Sequence, residues 1–214
     1  MRIYPGADIV NSAAGTGGKR AQGEALLDNR AARPVYSAPE TNVMNMNHCF
    51  QTGSVVPDLR STDKFEALRE VIRRARIFRA IDERAKLEEA VIARERQQTT
   101  GFGHGVAVAH GRVRGVPRVL IALGVSQAGI AYDSPDGAPV HLLFVIASPP
   151  NLSLDYLQAL STLVRCIREK DARDSLIGAA GAGEIEERLR AAFSAGLERF
   201  EEPLSGRQSR ASSG

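Results

Sequence analysis

Tryptophan is absent from this 214-residue sequence, and only two residues are cysteine. Two cysteines cannot form the disulfide framework of small secreted domains, so we expect reduced thiols, with Cys49 in an N-terminal tail and Cys166 in an amphipathic helix. The longest aliphatic run, residues 142–147, is far too short to cross a bilayer, and the N-terminus has no signal-peptide pattern. We therefore expect a cytoplasmic protein that does not insert into membranes.

The sequence also has little excess charge, with a formal net charge of +3 and a pI near 9.1. Its arginines alternate with acidic residues along predicted helices, which is typical of a solvated helix face. Zinc-finger spacing and an aromatic-rich RNA-binding strand are both lacking. These absences argue against nucleic acid as a partner.

The composition changes along the chain and divides it into three parts. Residues 1–48 are rich in Gly, Ala, Ser, Asn and Pro and have no sustained hydrophobic period, and residues 202–214 are similar. We expect both segments to be poorly ordered tails. Residues 50–201 are predicted to fold as one domain of common size.

Within that domain, hydrophobic periodicity predicts helices, then strands, then helices. Asp63 is expected to cap a first helix that carries its apolar stripe to Phe78, and Asp82 to start a second helix that ends near Thr99. Apolar runs at 106–108, 119–125 and 140–147 predict strands, with a turn at 133–137. Helices are expected at 154–167, near 176–177 and at 184–200. This order predicts an α/β fold with a mixed parallel and antiparallel sheet flanked by helices.

The stretch from Thr100 to Gly111, TGFGHGVAVAHG, is the most informative part of the sequence. Three closely spaced glycines predict a tight turn or close approach of the main chain, and His110 follows at the end of a short strand. A nucleophilic imidazole must be neutral, held in one orientation and placed near groups that stabilise developing charge. Glycine-rich main chain offers carbonyls to the ring and amides to an anion.

This stretch resembles the phosphotransferase-system enzyme IIA components of the fructose, mannitol and nitrogen-regulatory type. Their pattern is an Arg-Glu pair on a helix, then Thr-Gly-x-Gly-x-Gly-x-Ala-x-Pro-His-Gly. This chain has Arg94-Glu95, Thr100-Gly101, Gly103, Gly105, Ala107 and His110-Gly111, followed by Asp136-Gly137-Ala138-Pro139-Val140. The similarity extends over about residues 55–200 and is strongest to the nitrogen-regulatory type.

The resemblance implies that His110 accepts a phosphoryl group from a phosphohistidine on an HPr-like carrier protein. It also implies that Arg94 stabilises the phosphoryl charge, since guanidinium groups suit phosphate geometry. Backbone groups of Gly103, Gly105 and Gly111 are expected at the phosphate site. Further residues expected to line it are His104, Tyr156 and Thr100. No cofactor and no metal are expected.

Two positions depart from the family pattern. The residue before the active histidine is usually proline and is Ala109 here, although alanine can adopt the same extended conformation. A second histidine is usual at the position of Tyr156, and a tyrosine hydroxyl can donate a hydrogen bond but cannot carry positive charge. Both changes favour slow or purely regulatory transfer.

Other interpretations of these residues stay open. His110 could be an inert strand-end histidine, and His104 with His110 could bind a metal, although no third ligand has suitable spacing. A dinucleotide fingerprint is rejected, because Val106 occupies the third glycine position and a helix precedes the run. Three arginines after His110 belong to a solvated loop or to a docking surface: Arg112, Arg114 and Arg118.

Three functions fit these observations. The first is a nitrogen-regulatory IIA protein that uses phosphotransfer to signal to a target protein. The second is the IIA component of a fructose- or mannitol-type uptake system that passes phosphate to a IIB domain. The third is a binding module that regulates partners largely without phosphotransfer.

Overall fold

The computed structural model describes residues 49–201, with side chains as far as residue 194. The predicted tails, 1–48 and 202–214, lie outside the described residues. The elements in chain order are β1 (Val55–Val56), α1 (Lys64–Arg74), a 3-10 helix (Arg76–Ala80), α2 (Arg84–Gln97), β2 (Gly101–Gly103), β3 (Val106–Arg112), β4 (Leu120–Ile130), β5 (Val140–Ser148), α3 (Ser153–Arg168), α4 (Lys170–Ile177) and α5 (Ala182–Glu201).

The five strands form one mixed sheet in the order β1-β4-β5-β3-β2. The central pair, β4 and β5, is antiparallel, whereas β3 runs parallel to β5 and β1 runs parallel to β4. Strand β2 forms an antiparallel hairpin with β3. The predicted α/β fold with a mixed sheet is therefore confirmed.

Two helical layers cover the two faces of this sheet. Helices α1 and α2 and the 3-10 helix pack on one face, and α3, α4 and α5 pack on the other. Strand β3 shows why both faces are buried: Ala107 and Ala109 face the first layer, whereas Val106 and Val108 face the second. No helix among residues 49–201 is both long and apolar enough to cross a membrane.

The first two helices depart from their predicted limits. Asp63 does cap α1, since its carboxylate accepts hydrogen bonds from the amides of Phe65 and Glu66. The helix ends at Arg74, because Ala75 is extended with φ −66° and ψ 116°, and Phe78 lies in the 3-10 helix that follows. Helix α2 begins at Arg84 rather than at Asp82.

The interpretation of Cys49 as a tail residue is wrong. Its side chain is fully buried in the core beneath α3 and α5, and its carbonyl accepts a hydrogen bond of 2.9 Å from the Ile121 amide. Burial raises the pKa of the thiol to about 12, which makes it unreactive near neutral pH. Cys49 thus belongs to the folded domain.

Gly124 in β4 tests how closely the first helical layer packs on the sheet. A Cβ atom at Gly124 would lie 2.6 Å from Val71 Cγ2 and would also contact the Leu59 side chain. We expect Gly124→Ala to lower the free energy of unfolding by about 1–3 kcal/mol, because a well-packed core has no space for the methyl group. Urea denaturation measures this difference.

A matched control is Gly183→Ala in α5, where no atom lies within 4 Å of the added Cβ. Alanine favours a helix over glycine, so this variant is expected to match the wild type or to gain up to about 1 kcal/mol. Equal denaturation midpoints for the two variants would contradict the close contact at Gly124.

Candidate active site

His110 lies on the part of β3 that is exposed at the sheet edge. Strand β2 pairs with β3 only at Val106 and Ala107, whereas β5 pairs with β3 along its whole length, with Ile146 beside His110. The described residues place no strand on the outer side of His110. Its half-buried side chain is therefore reachable from this edge, and groups from both helical layers can approach it.

The surroundings of His110 favour a neutral imidazole. Its pKa lies below the ordinary value of 6.5, first because burial disfavours the charged ring and then because the Arg94 and Arg112 cations repel it. A hydrogen bond to the Val108 backbone and the Glu95 charge act in the opposite direction. A backbone bond that raises a histidine pKa is one in which the ring N–H donates to the carbonyl oxygen. Val108 thus favours the form in which one ring nitrogen carries the proton and the other carries the lone pair.

Arg94 reaches the histidine from the helical layer on the other face of the sheet. It lies in the last turn of α2, where its guanidinium donates a hydrogen bond of 3.2 Å to the carbonyl of Gln98. Its charge acts on both His110 and Tyr156. The arginine and the histidine that the sequence pattern singled out are therefore close enough for the Arg94 charge to lower the pKa of His110.

Glu95, the neighbour of Arg94, holds the end of α2 to the sheet. This carboxylate is only 2 % exposed, and both its oxygens accept hydrogen bonds of 3.1 Å from the Thr100 amide. The Thr100 hydroxyl also donates to Glu95, and Lys64 Nζ lies 3.7 Å away. A buried carboxylate with these partners fixes the turn between α2 and β2.

Thr100, which we expected from the sequence to line the site, lies between α2 and β2. Its side chain is bound to Glu95 and lies 3.2 Å from the Tyr132 hydroxyl, and its carbonyl accepts a hydrogen bond of 3.1 Å from the Val108 amide. Thr100 therefore connects the buried carboxylate to the strand segment that leads into His110. Glu95 was visible in the sequence as part of the Arg-Glu pair, but its contacts with Thr100 and Lys64 could not be read from the sequence.

Tyr156 lies beside His110 on the second helical layer. Its ring is 6 % exposed, and its centroid is 5.6 Å from that of His110 at an angle of 46°. Burial raises the pKa of its hydroxyl, so this group stays protonated and can donate a hydrogen bond. Of the residues expected to line the site, Tyr156 is thus brought next to the histidine.

The structure places Gly103, His104 and Gly105 away from His110, in the turn of the β2–β3 hairpin. The three residues have positive φ angles, which a tight turn requires, and the His104 amide donates a hydrogen bond of 2.6 Å to Asp136. His110 lies four strand residues beyond Val106, a separation of about 13 Å. These glycines therefore shape the hairpin, and their amides do not reach a group on His110.

Gly111 lies beside His110 but faces the opposite side of the sheet. A Cβ atom at this position would be 2.8 Å from Val91 Cγ2 and 3.2 Å from Leu87 Cδ1, both on α2. The glycine therefore lets α2 approach β3 closely. Ala109 in β3 pairs with Val145 in β5, so the extended backbone before the histidine forms here without proline.

The pKa of the His110 imidazole is predicted to depend on the charge of Arg94. We expect Arg94→Gln to raise the pKa of His110, because removal of a nearby cation favours the charged ring. NMR titration of the imidazole resonances measures the shift. Because the unfolded chain binds this proton more tightly, the wild-type protein also loses stability from this group as the pH falls below about 6.5.

The matched control is Arg96→Gln, on the same helix. Arg96 is exposed, with its guanidinium 5.6 Å from the Phe65 ring, and it is not among the charges that act on His110. Its removal is expected to leave the titration unchanged. Equal shifts of the His110 pKa in the two variants, or no shift in Arg94→Gln, would show that the Arg94 charge does not lower that pKa.

The comparisons with known proteins agree with the fold and the sequence pattern. Residues 48–192 match the family model described as "Phosphoenolpyruvate-dependent sugar phosphotransferase system, EIIA 2". A nitrogen regulatory protein from Bradyrhizobium diazoefficiens is 30% identical over 132 residues, which cover 62% of this chain and 86% of that protein. The fructose-specific EIIABC component of Bacillus subtilis is 35% identical over 105 residues, which cover 49% of this chain and only 16% of that protein.

A solved structure shows the same architecture. The nitrogen regulatory protein IIA-Ntr from Neisseria meningitidis has a TM-score of 0.62 and 29% sequence identity, and the alignment covers 67% of this chain and 98% of that one. Together with the family match over residues 48–192, this similarity establishes the family. The chain is a member of the EIIA 2 family of the phosphoenolpyruvate-dependent phosphotransferase system.

Proposed function

We propose that His110 accepts a phosphoryl group from the phosphohistidine of a small HPr-like carrier protein. The observation that carries this proposal is the half-buried imidazole at the open edge of β3, packed beside Tyr156 and kept neutral by burial and by the Arg94 charge. A neutral nitrogen with a free lone pair is the nucleophile that phosphoryl transfer requires. The remaining catalysis is positioning and charge stabilisation, which the arginine supplies.

The transfer forms one nitrogen–phosphorus bond and breaks another. The free ring nitrogen of His110 donates its lone pair to phosphorus while the bond between phosphorus and the carrier imidazole breaks. The electron pair of the broken bond returns to the carrier nitrogen. Each ring keeps the proton on its other nitrogen, and the Val108 backbone favours that proton in His110. Arg94 offsets the negative charge of the oxygens during transfer.

We place this transfer in a regulatory role, in which the phosphorylation state of His110 controls contact with a target protein. The similarity to nitrogen regulatory proteins over most of their length supports this role. Addition of a nearly dianionic group to a half-buried edge is sufficient to create or abolish a docking surface. Tyr156, in place of the family's second histidine, also fits regulation better than rapid turnover.

Transport is the second candidate function. In that case His110 passes its phosphoryl group to a IIB domain of a fructose- or mannitol-type system, as the similarity to a fructose-specific component suggests. A binding module that acts largely without phosphotransfer is the third candidate. Transfer of label from the phosphorylated protein to a purified IIB domain would favour transport.

Incubation of the full chain with phosphoenolpyruvate, enzyme I and HPr or its nitrogen-branch relative should give an acid-labile phosphoryl adduct. We expect His110→Ala to abolish the adduct and Arg94→Gln to slow its formation about 10- to 100-fold, because one charged donor to the transferred group is lost. Quench-flow or gel-based detection of labelled phosphate measures both effects.

The control is His104→Asn, which changes an exposed histidine in the hairpin and keeps a residue that tolerates positive φ. This variant should form the adduct at the wild-type rate. An adduct that survives His110→Ala, or no adduct with either carrier, would refute the assignment of His110 as acceptor.

The regulatory role predicts that partners distinguish the charge at position 110. Affinity capture with wild type, His110→Ala and His110→Asp should recover at least one protein whose yield differs between the aspartate variant and the other two. The added carboxylate places a negative charge where the phosphoryl group would lie. Identical partner sets for all three proteins would argue against a switch at this residue.

A further inference from the structure

Arg112 lies on the same face of β3 as His110. Side chains two residues apart in a strand point to the same side, and both residues approach Tyr156 on α3. The guanidinium carbon of Arg112 is 5.1 Å from the centroid of the Tyr156 ring, and the His110 ring is 5.6 Å from the same centroid. Tyr156 therefore packs against both the imidazole and the guanidinium.

We infer that Arg112 is a second phosphoryl-binding residue, which contacts the oxygens of the group carried by His110 together with Arg94. This inference rests on the proposed function of His110 as acceptor. The sequence alone left Arg112 in a solvated loop or on a docking surface. The structure places it at the end of β3 with its guanidinium over Tyr156.

Arg112 has no acidic partner among the residues that the structure describes. Arg69, Arg74 and Arg188 each form an ion pair with a carboxylate. Among the residues that the structure describes, no carboxylate lies within 4.0 Å of Arg112 or Arg94. Both guanidinium groups beside His110 thus keep their charge available for an anion.

The position of Arg112 is fixed by contacts that leave its charge free. Stacking on an aromatic face orients a guanidinium and uses few of its N–H donors. The Ser153 hydroxyl, at the start of α3, accepts a hydrogen bond of 3.4 Å from one terminal nitrogen. The other N–H donors remain for phosphoryl oxygens, to which guanidinium binds with matched geometry.

This arrangement compensates for the missing second histidine. The resemblance to the family implies a histidine at the position of Tyr156, and a tyrosine ring supplies no positive charge. Arg112, held over that ring, supplies the charge from the strand instead of from α3. A guanidinium stays protonated at all relevant pH values, whereas a histidine loses its charge above its pKa. The positive charge around His110 in this protein therefore does not depend on pH.

The test uses phosphoramidate, a small phosphoryl donor that needs no carrier protein. Its nitrogen–phosphorus bond breaks as His110 forms the new bond, and ammonia leaves with the electron pair. We expect the initial rate of phosphohistidine formation, followed by 31P NMR on the full chain, to fall about tenfold in Arg112→Gln. Arg112→Lys should recover part of the rate because it keeps the charge.

A matched control is Arg114→Gln, which removes an exposed arginine two residues further along the chain. Its rate should equal that of the wild type. A second measurement separates charge from structural support: the pKa of His110 should rise in Arg112→Gln and return towards the wild-type value in Arg112→Lys.

Each remaining outcome overturns a defined statement. A wild-type rate in Arg112→Gln, or equal losses in Arg112→Gln and Arg114→Gln, would overturn the role of Arg112 while His110 remains the acceptor. No adduct on wild-type His110 with phosphoramidate or with either carrier protein would overturn the proposed function itself, together with the inference that depends on it.

Discussion

The buried carboxylate of Glu95 is the interaction on which the geometry of the site depends. It binds the amide and hydroxyl of Thr100, and Thr100 in turn accepts a hydrogen bond from Val108, two residues before His110 in β3. Arg94 is the residue before Glu95, so the same bonds fix the end of α2 near the imidazole. A buried carboxylate is unfavourable unless its oxygens are satisfied, and these partners satisfy them. The cost of its burial is thus offset by contacts that position the two functional groups.

Small residues on one face of β3 make this arrangement possible. Ala107, Ala109 and Gly111 face α2, and Gly111 brings the helix so near that a methyl group would collide with Val91. This close packing fixes the position of α2, and therefore of Arg94, relative to β3. His110 points to the opposite face, and the Arg94 charge acts on it at the point where the strand is uncovered on its outer side. Close packing and an open edge are both required.

Much of the fold was predictable, because its long elements have strong hydrophobic periods. Strands β4 and β5 and helices α1, α2, α3 and α5 follow those periods to within a few residues, apart from the 3-10 helix and the longer end of β4. Strands β1 and β2 are too short to have a period, and the composition of β2, Gly-Phe-Gly, is typical of a turn. Within the site, the pairing of His110 with Arg94 followed from the motif. The stacking of Arg112 on Tyr156 did not, because 44 residues separate them and only the fold brings them together.

The two sides of the site, Arg94 on α2 and Tyr156 on α3, differ in how readily nearby residues can be substituted. Arg94 comes from a helix end fixed by a buried carboxylate, whereas Tyr156 comes from α3, whose neighbouring Leu154 and Leu157 side chains are 68% and 56% exposed. Substitutions on the outer surface of α3 alter the Tyr156 side of the site without disturbing the buried bonds that hold the end of α2. Partner contacts on this surface can therefore change while the bonds that fix the end of α2 stay the same. The residues that would recognise partners can thus vary independently of the residues that would bind the phosphoryl group.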